Sequence, residues 1–346
     1  MELKIGISGI NAVDNPGPGV GVAKSIKEDR ELSAKIVGLS YDAMEPGNYM
    51  KWIIDKSYIL PYPSTDHKTY LNRLYYIREN YGLDFVLPVL DAELPLYLKY
   101  QKELEKNGIK TFLPTLEQFK LRGKDKLEEV AKNIGIETPK SEVVNSYDEL
   151  VKAVEKLGLP VMVKGVFYKA YRAYTVQEAV SFFNKIVAEW GYPVILQQVV
   201  SGEEMNVVAA GDGEGNSLGM IAIKKMWITE LGKIWTGITI KNEELLNSAK
   251  RFIEIYGWKG AFELECIVDL NNNKIYLIEI NPRFPAWSYF STGVGVNIAS
   301  NIVRKAFNLP VKEYRDYPAG KLYIRYTDDF VVGIETFQKL ITLGEN

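Results

Sequence analysis

The sequence predicts a multidomain α/β protein: an α/β N-terminal domain over 1–114, a small α+β lobe over 115–200 and a larger α+β lobe over 201–346. Three observations carry that reading. Strand-like and helix-like segments alternate through the first hundred or so residues, the pattern of a parallel sheet. From "GKDKLEEVAKNIG" onward the alternation becomes irregular and helices separate short strands. After residue 203 the chain reads as two long hairpins with a helix between them.

The elements follow in order. "LKIGISGI" alternates as a first strand and runs into the Gly/Pro-rich "NAVDNPGPGVGVAKSIKED", a turn and then a helix. "AKIVGLS" is a second strand. "HKTYLNRLYYIRENYG" places Leu71, Leu74 and Ile77 on one side of a helix. "LDFVLPVLD" is a buried strand, and "AELPLYLKYQKELEKNG" is a helix ended by Gly108. The middle lobe carries a helix near 146–157, the strand "LPVMVKG", a helix near 176–190 and the strand "YPVILQQVV". "EEMNVVAAGDGEGNSLGMIAIKKM" is two strands about the turn "GDGEGN", which lacks the acidic ladder of a calcium loop. A helix at 242–256 precedes "GAFELECIVDLNNNKIYLIEIN", a hairpin turning at "NNN". From about 296 a helix and a mixed tail complete the chain.

Composition narrows the function. A net charge of -2 leaves no basic field for a nucleic-acid backbone. No run of about 18 apolar residues is present to span a bilayer. The start of the chain is too short and mixed for a signal peptide. The single cysteine, Cys266, excludes an intrachain disulfide and a zinc–cysteine cluster, and reads as a core thiol. The single histidine, His67, decorates a helix and removes most imidazole chemistry. These traits predict a cytoplasmic protein without nucleic-acid or membrane partners; a homodimer is left open.

The chemistry concentrates in "KIYLIEINPRFPAW". An apolar strand ends in Glu279, Asn281 and Arg283 at every second position, hence on one face. Glu263 and Glu265 stand two apart on the preceding strand, and the short turn makes the strands neighbours. Glu265 therefore faces Glu279 if the register allows. Two carboxylates and an amide oxygen form a hard-oxygen site suited to Mg²⁺. An adjacent arginine suits a phosphoryl group.

"FELECIVD" with "YLIEINPR" resembles the metal-binding end of the ATP-grasp superfamily, whose members are ligases of the carboxylate–amine type acting through an acyl phosphate. The resemblance extends over most of the chain and implies a pre-ATP-grasp domain followed by two ATP-grasp lobes. It implies ATP and Mg²⁺ (or Mn²⁺) as cofactors, with metal ligands at Glu265, Glu279 and Asn281 and a phosphate-side arginine at Arg283. "GKDKLEEVAKNIGIETPKS" is similar to the segment holding a nucleotide-contacting lysine, here Lys126. "LPVMVKG" is similar to the strand of the phosphate-binding lysine, here Lys164. "LQQVVSGEEMNVV" looks like the interlobe hinge. Gln197 opens that hinge, the backbone near Gln198 and Val200 meets adenine, and Glu204 takes the ribose hydroxyls. Either Lys224 or Lys225 falls where a further phosphate contact is placed.

Two departures mark this chain. The residue opening the hinge is the neutral Gln197 instead of an acid. The expected Gly-rich loop is replaced by "GVFYKAYRAYT", with one glycine and three tyrosines, where Lys169 and Arg172 could supply the charge. On the substrate side, Asp91 and Glu93 lie beyond a strand's C-terminal end, either to bind an ammonium or to start the next helix. "NPGPGVG" lacks the dinucleotide-binding spacing and reads either as a substrate-side turn into a helix N-terminus at Gly19 or as a structural turn. The leading expectation is a ligase joining a small carboxylate to an amine, with amino acids or peptides among the candidates. The alternatives are an ATP-binding regulatory protein with a degenerate phosphate loop and a carboxyphosphate-forming carboxylase.

Overall fold

A computed structural model of the chain describes residues 2–11, 16–165, 169–229 and 232–346. At the N-terminus four strands form a parallel sheet in the order Lys56–Ile59, Ala34–Ser40, Leu3–Ile7, Phe85–Leu87. Ile5 stands opposite both Ile36 and Phe85, and all three are inaccessible. Both faces of this sheet are covered, which explains why its strands read as nearly continuous apolar runs. Helix His67–Asn80 begins where the Asp66 side chain accepts from the Thr69 N–H, and it buries Tyr70, Leu71, Leu74 and Ile77, the spacing expected for an amphipathic helix. The chain doubles back across the first strand to reach Phe85–Leu87. That switch point opens a crevice at the strands' C-terminal ends, where Asp91 follows.

A second sheet has six strands in the order Ile275–Asn281, Lys259–Val268, Glu203–Asp212, Ser217–Ile228, Ile234–Ile240, Leu322–Ile324. Helix Glu243–Tyr256, capped by Asn242, buries Leu245, Ala249, Phe252 and Ile253. The "GDGEGN" turn is a hairpin turn: Asp212 accepts from the backbone N–H groups of Glu214 and Asn216, while Gly213 and Gly215 take φ of +89° and +93°. Only glycine adopts such angles at little cost. Cys266 is buried, as expected of a core thiol.

The chain separates into two compact units. One comprises residues 1–134, 205–265 and 279–346, and the other 135–204 and 266–278. The second unit holds a four-stranded sheet, in the order Ser141–Val144, Val194–Gln198, Val161–Lys164, Ala170–Ala173, with helices Tyr147–Leu157 and Val176–Trp190. Its core joins Val144, Leu150, Val163, Phe183 and Leu196. The division at 114 and 200 expected from the sequence remains a proposal about folding units. No helix among the described residues is long and apolar enough to cross a membrane.

Candidate active site

The hairpin Lys259–Val268 and Ile275–Asn281 places three acids and an amide together at one end of the six-stranded sheet. Asn281 is their hub. Its Nδ2 donates to Glu263 Oε2 at 3.1 Å and to Glu265 Oε1 at 2.8 Å. Its Oδ1 accepts from Arg283 at 3.2 Å. Glu265 also accepts from Lys225 at 3.1 Å, and the lysine side chain is only 8% exposed. Lys225 thus stands in the group.

The acids differ in environment. Glu263 is almost wholly buried and accepts from Asn206, Trp287 and Asn281. Burial, and then the neighbouring Glu265, push its carboxyl up to about 7. Glu279 keeps access to solvent and has no hydrogen-bond partner among the described residues. The protein crowds it all the same: burial first, and Glu265 next, raise its pKa. Arg283 donates to Asp91 at 2.7 Å, and Arg122 holds the other Asp91 oxygen at 2.6 Å. Burial works against the Asp91 charge, but Arg283 and Arg122 prevail and hold the carboxyl below its usual range. Asp91 is thereby committed to two guanidinium groups, so the geometry gives it the task of aiming Arg283 and not of receiving an ammonium.

Three residues that the sequence pattern did not single out join this group. Lys233 donates to the Pro16 carbonyl at 2.9 Å. Burial, then Arg283 and Arg325, lower its ammonium to about 8. Arg325 donates to the Ala286 carbonyl at 2.7 Å, while its Nε is buried without a partner. Lys124 is pulled down by burial and feels the charge of Glu279.

Lys124 stands beside Lys126 as a second candidate for the nucleotide-contacting lysine. Lys126 is exposed and pairs at 3.3 Å with Glu129, one turn along its own helix. The two lysines lie two residues apart in the turn before helix Leu127–Asn133; both keep access to solvent, but only Lys124 feels the charge of Glu279. Lys124→Ala is therefore expected to lower ATP turnover at least about tenfold, by loss of a charge-assisted contact. Lys126→Ala should change it less than twofold. A steady-state ADP assay on both variants checks the order, and the reverse order would return the role to Lys126.

Two other expectations change. Glu93 is fully buried, and its Oε1 accepts from Ser8 and from the Val89 and Leu90 N–H groups. Its Oε2 accepts from Tyr41. With both oxygens spent on tying strand ends together, it has no face for a substrate. Gly19 begins helix Gly19–Glu28 and donates to the Gly9 carbonyl at 2.9 Å. A Cβ there would lie 2.0 Å from the Ser8 carbonyl oxygen, so the close approach of two chain segments demands the glycine.

The remaining candidates lie in the second unit. Lys164 is half-buried on strand Val161–Lys164 and donates to Gln197 Oε1; Gln197 donates onward to Ser141 at 3.0 Å. The Gln198 N–H donates to the Lys140 carbonyl at 2.8 Å. It is therefore unavailable to adenine, and the backbone reading shifts to 199–200, where Val200 is half-buried. Glu204 is exposed. In the tyrosine-rich loop, Gly165 N–H donates to the Lys169 carbonyl at 3.1 Å. Lys169 reaches Glu189 at 4.0 Å, and Arg172 lies over the Tyr174 ring at 5.4 Å. Tyr171 stacks on Phe182 at 4.8 Å, and both pack against the core of this unit. Tyr168 lies outside the described residues.

Residues 122–286 match the family model of the ATP-grasp domain. That stretch is therefore similar to an ATP-grasp domain. It is 26% identical over 243 residues to the carbamoyl phosphate synthase large chain of Clostridium acetobutylicum, a match covering 64% of this chain but only 22% of that relative. In structure it is similar to biotin carboxylase from Campylobacter jejuni, with a TM-score of 0.70, 19% identity, and 92% and 74% of the two chains covered. It is also similar to the biotin carboxylase domain of Hydrogenobacter thermophilus 2-oxoglutarate carboxylase, solved with MgADP and bicarbonate, with a TM-score of 0.66, 19% identity, and 91% and 71% covered. The α/β sheet followed by mixed α+β sheets is the arrangement that the sequence pattern predicted, and it is the fold of these ATP-grasp structures.

Proposed function

We propose that this protein is an ATP- and Mg²⁺-dependent ligase that activates a small carboxylate as an acyl phosphate and joins it to an amine. The observation that carries the reading is the crowded pair Glu265 and Glu279 beside Asn281 and Arg283. Two carboxylates held close enough that one raises the other's pKa cost free energy until a cation lies between them. An all-oxygen donor set from Glu265, Glu279 and Asn281 suits Mg²⁺. When bound, the ion would neutralise charge on the phosphate oxygens of ATP.

The chain's own groups then have distinct tasks. Lys225, desolvated and held by Glu265, would take phosphate oxygens, and Lys164 would do the same, as the resemblance implies. Lys124 adds a third ammonium. The exposed Glu204 would accept the ribose hydroxyls, and Lys169 and Arg172 would supply charge from the loop that replaces the glycine-rich one. Arg283, aimed by Asp91, would steady the transferred phosphoryl group. In the first step the substrate carboxylate oxygen attacks the γ-phosphorus and ADP leaves. In the second the amine nitrogen attacks the acyl carbon, phosphate leaves, and the nitrogen loses a proton. No protein nucleophile is required.

One observation favours a second reading. Lys233, Arg283 and Arg325 lie close enough for their charges to depress the Lys233 pKa, a setting that suits a small anion. Bicarbonate, present in the Hydrogenobacter structure, would then be the acid phosphorylated. The test is ADP release from ATP and Mg²⁺ across a panel of carboxylic acids with and without amines, and with bicarbonate alone. ADP that requires both an acid and an amine, with a condensed product by mass, supports the ligase. ADP with bicarbonate alone favours carboxyphosphate formation. No acid-dependent ADP in any arm would sink both.

A further inference from the structure

Strand Leu322–Ile324 is the last strand of the six-stranded sheet, paired among the described residues on one side only, with Ile234–Ile240. Arg325 N–H donates to the Trp235 carbonyl and Thr239 N–H to the Lys321 carbonyl, both at 2.9 Å. Antiparallel alternation therefore turns the N–H and C=O groups of Leu322 and Ile324 outward, away from the sheet. An edge of this kind pairs readily with another strand, and natural proteins usually blunt or cover it. Here it is apolar: Leu322, Ile324 and Tyr326 are 56, 64 and 78% exposed. Trp227 is opposite Thr236, which is opposite Ile324, so Trp227, 69% exposed, continues the same face across three strands. Beyond the strand, fully exposed Val331 follows Phe330, which packs edge-on against exposed Trp52 at 5.6 Å.

The area is that of an interface. Trp227 and Tyr326 alone leave roughly 300 Å² exposed, given about 200 Å² for a whole aromatic side chain. With Leu322, Ile324, Val331 and Trp52 the patch reaches roughly 700–800 Å², above the largest patch of an ordinary monomer and close to one side of a standard interface. The charges select the occupant. The segment begins with Lys321 and ends with Asp328 and Asp329. Such a strand is complementary to itself only when the copies run antiparallel; parallel pairing would set lysine on lysine and aspartate on aspartate.

We propose that two copies of this chain associate through a two-fold at Ile324, their edge strands pairing antiparallel to continue the sheet from one copy into the other. Ile324 then meets its own copy, Leu322 meets Tyr326, and Lys321 lies beside Asp328 and Asp329 of the second copy. Such an isologous contact closes the edge and stops at two. It is independent of the reaction proposed above.

Sedimentation velocity on the full chain tests this at low micromolar concentration. The wild type should sediment at twice the chain mass. Ile324→Lys, which places a like charge on the two-fold, should weaken the dimer about 100-fold or more, with an unchanged circular dichroism spectrum and melting temperature because the side chain is already exposed. Lys321→Glu should weaken it as well, and adding Asp328→Lys with Asp329→Lys should restore it. A wild type that stays monomeric at tens of micromolar overturns the proposal, as does a dimer indifferent to Ile324→Lys. Failure of the charge swap to restore a dimer lost in Lys321→Glu overturns the antiparallel pairing.

Discussion

Glu279→Gln is expected to abolish Mg²⁺-dependent ADP formation while leaving the protein as stable as before, or slightly more so. The two halves of that expectation have one cause. Burial and Glu265 raise the Glu279 pKa above its unfolded value, so the ionised form that prevails at neutral pH is disfavoured in the fold. Removing the charge removes that cost. Removing it also takes one of two carboxylates from the oxygen donors, and turnover should fall roughly 10²- to 10³-fold, the scale of losing one charge-stabilising contact at the transition state. Two measurements separate this from misfolding. The wild-type melting temperature should rise with Mg²⁺ and a nucleotide, since ligands that bind only the folded state stabilise it. The variant should match or exceed the ligand-free wild type and gain much less. ADP release near the wild-type rate, at equal melting temperature, would take Glu279 out of the site.

The parts of the site that could be read in advance are those with local periodicity. Glu279, Asn281 and Arg283 share a face because a strand alternates every second residue, and Glu265 joins them because a short turn forces its strand alongside. Lys233 and Arg325 meet Arg283 only because the chain brings distant segments together, and no spacing along the chain announces that. Lys124 and Lys126 were indistinguishable because the turn preceding helix Leu127–Asn133 has no repeat from which to infer direction. Glu93 shows the opposite failure. An acid just past a strand's end looks the same whether it binds a ligand or gathers the N–H groups of Val89 and Leu90, and only its complete burial tells the two apart. The fold was more legible than the site, because covered strands and one-sided helices leave patterns in every element, whereas a site is assembled from several elements at once.

Asp29→Asn should be the most destabilising single substitution away from the site. Asp29 follows helix Gly19–Glu28, and its side chain is 1% exposed. It accepts from Arg304 Nε at 2.8 Å and Nη2 at 3.0 Å, from Lys312 at 3.0 Å, and from the Ser300 hydroxyl. Arg304, itself 8% exposed, belongs to helix Ile298–Ala306, so one carboxylate ties the first helix of the chain to one near residue 300. An asparagine keeps the shape but leaves the buried guanidinium with only Glu31, 3.0 Å away and 70% exposed, as counter-charge. Breaking a buried pair from one side costs about 3–5 kcal/mol, a large share of ordinary domain stability. The pH dependence gives an independent check. Burial opposes the Asp29 charge, but Arg304, Ser300 and Lys312 outweigh it and hold the carboxyl well below the usual range. Its folded pKa lies below its unfolded value of about 4, so the stabilisation is complete above that value and is lost as the pH falls through it. The urea midpoint of the wild type should therefore drop between about pH 4 and pH 2 more steeply than that of the variant, and the two curves should converge toward the acid end. Parallel curves, or a midpoint loss below about 1 kcal/mol at neutral pH, would mean that solvent already screens the pair and that Asp29 is not the tie between these helices.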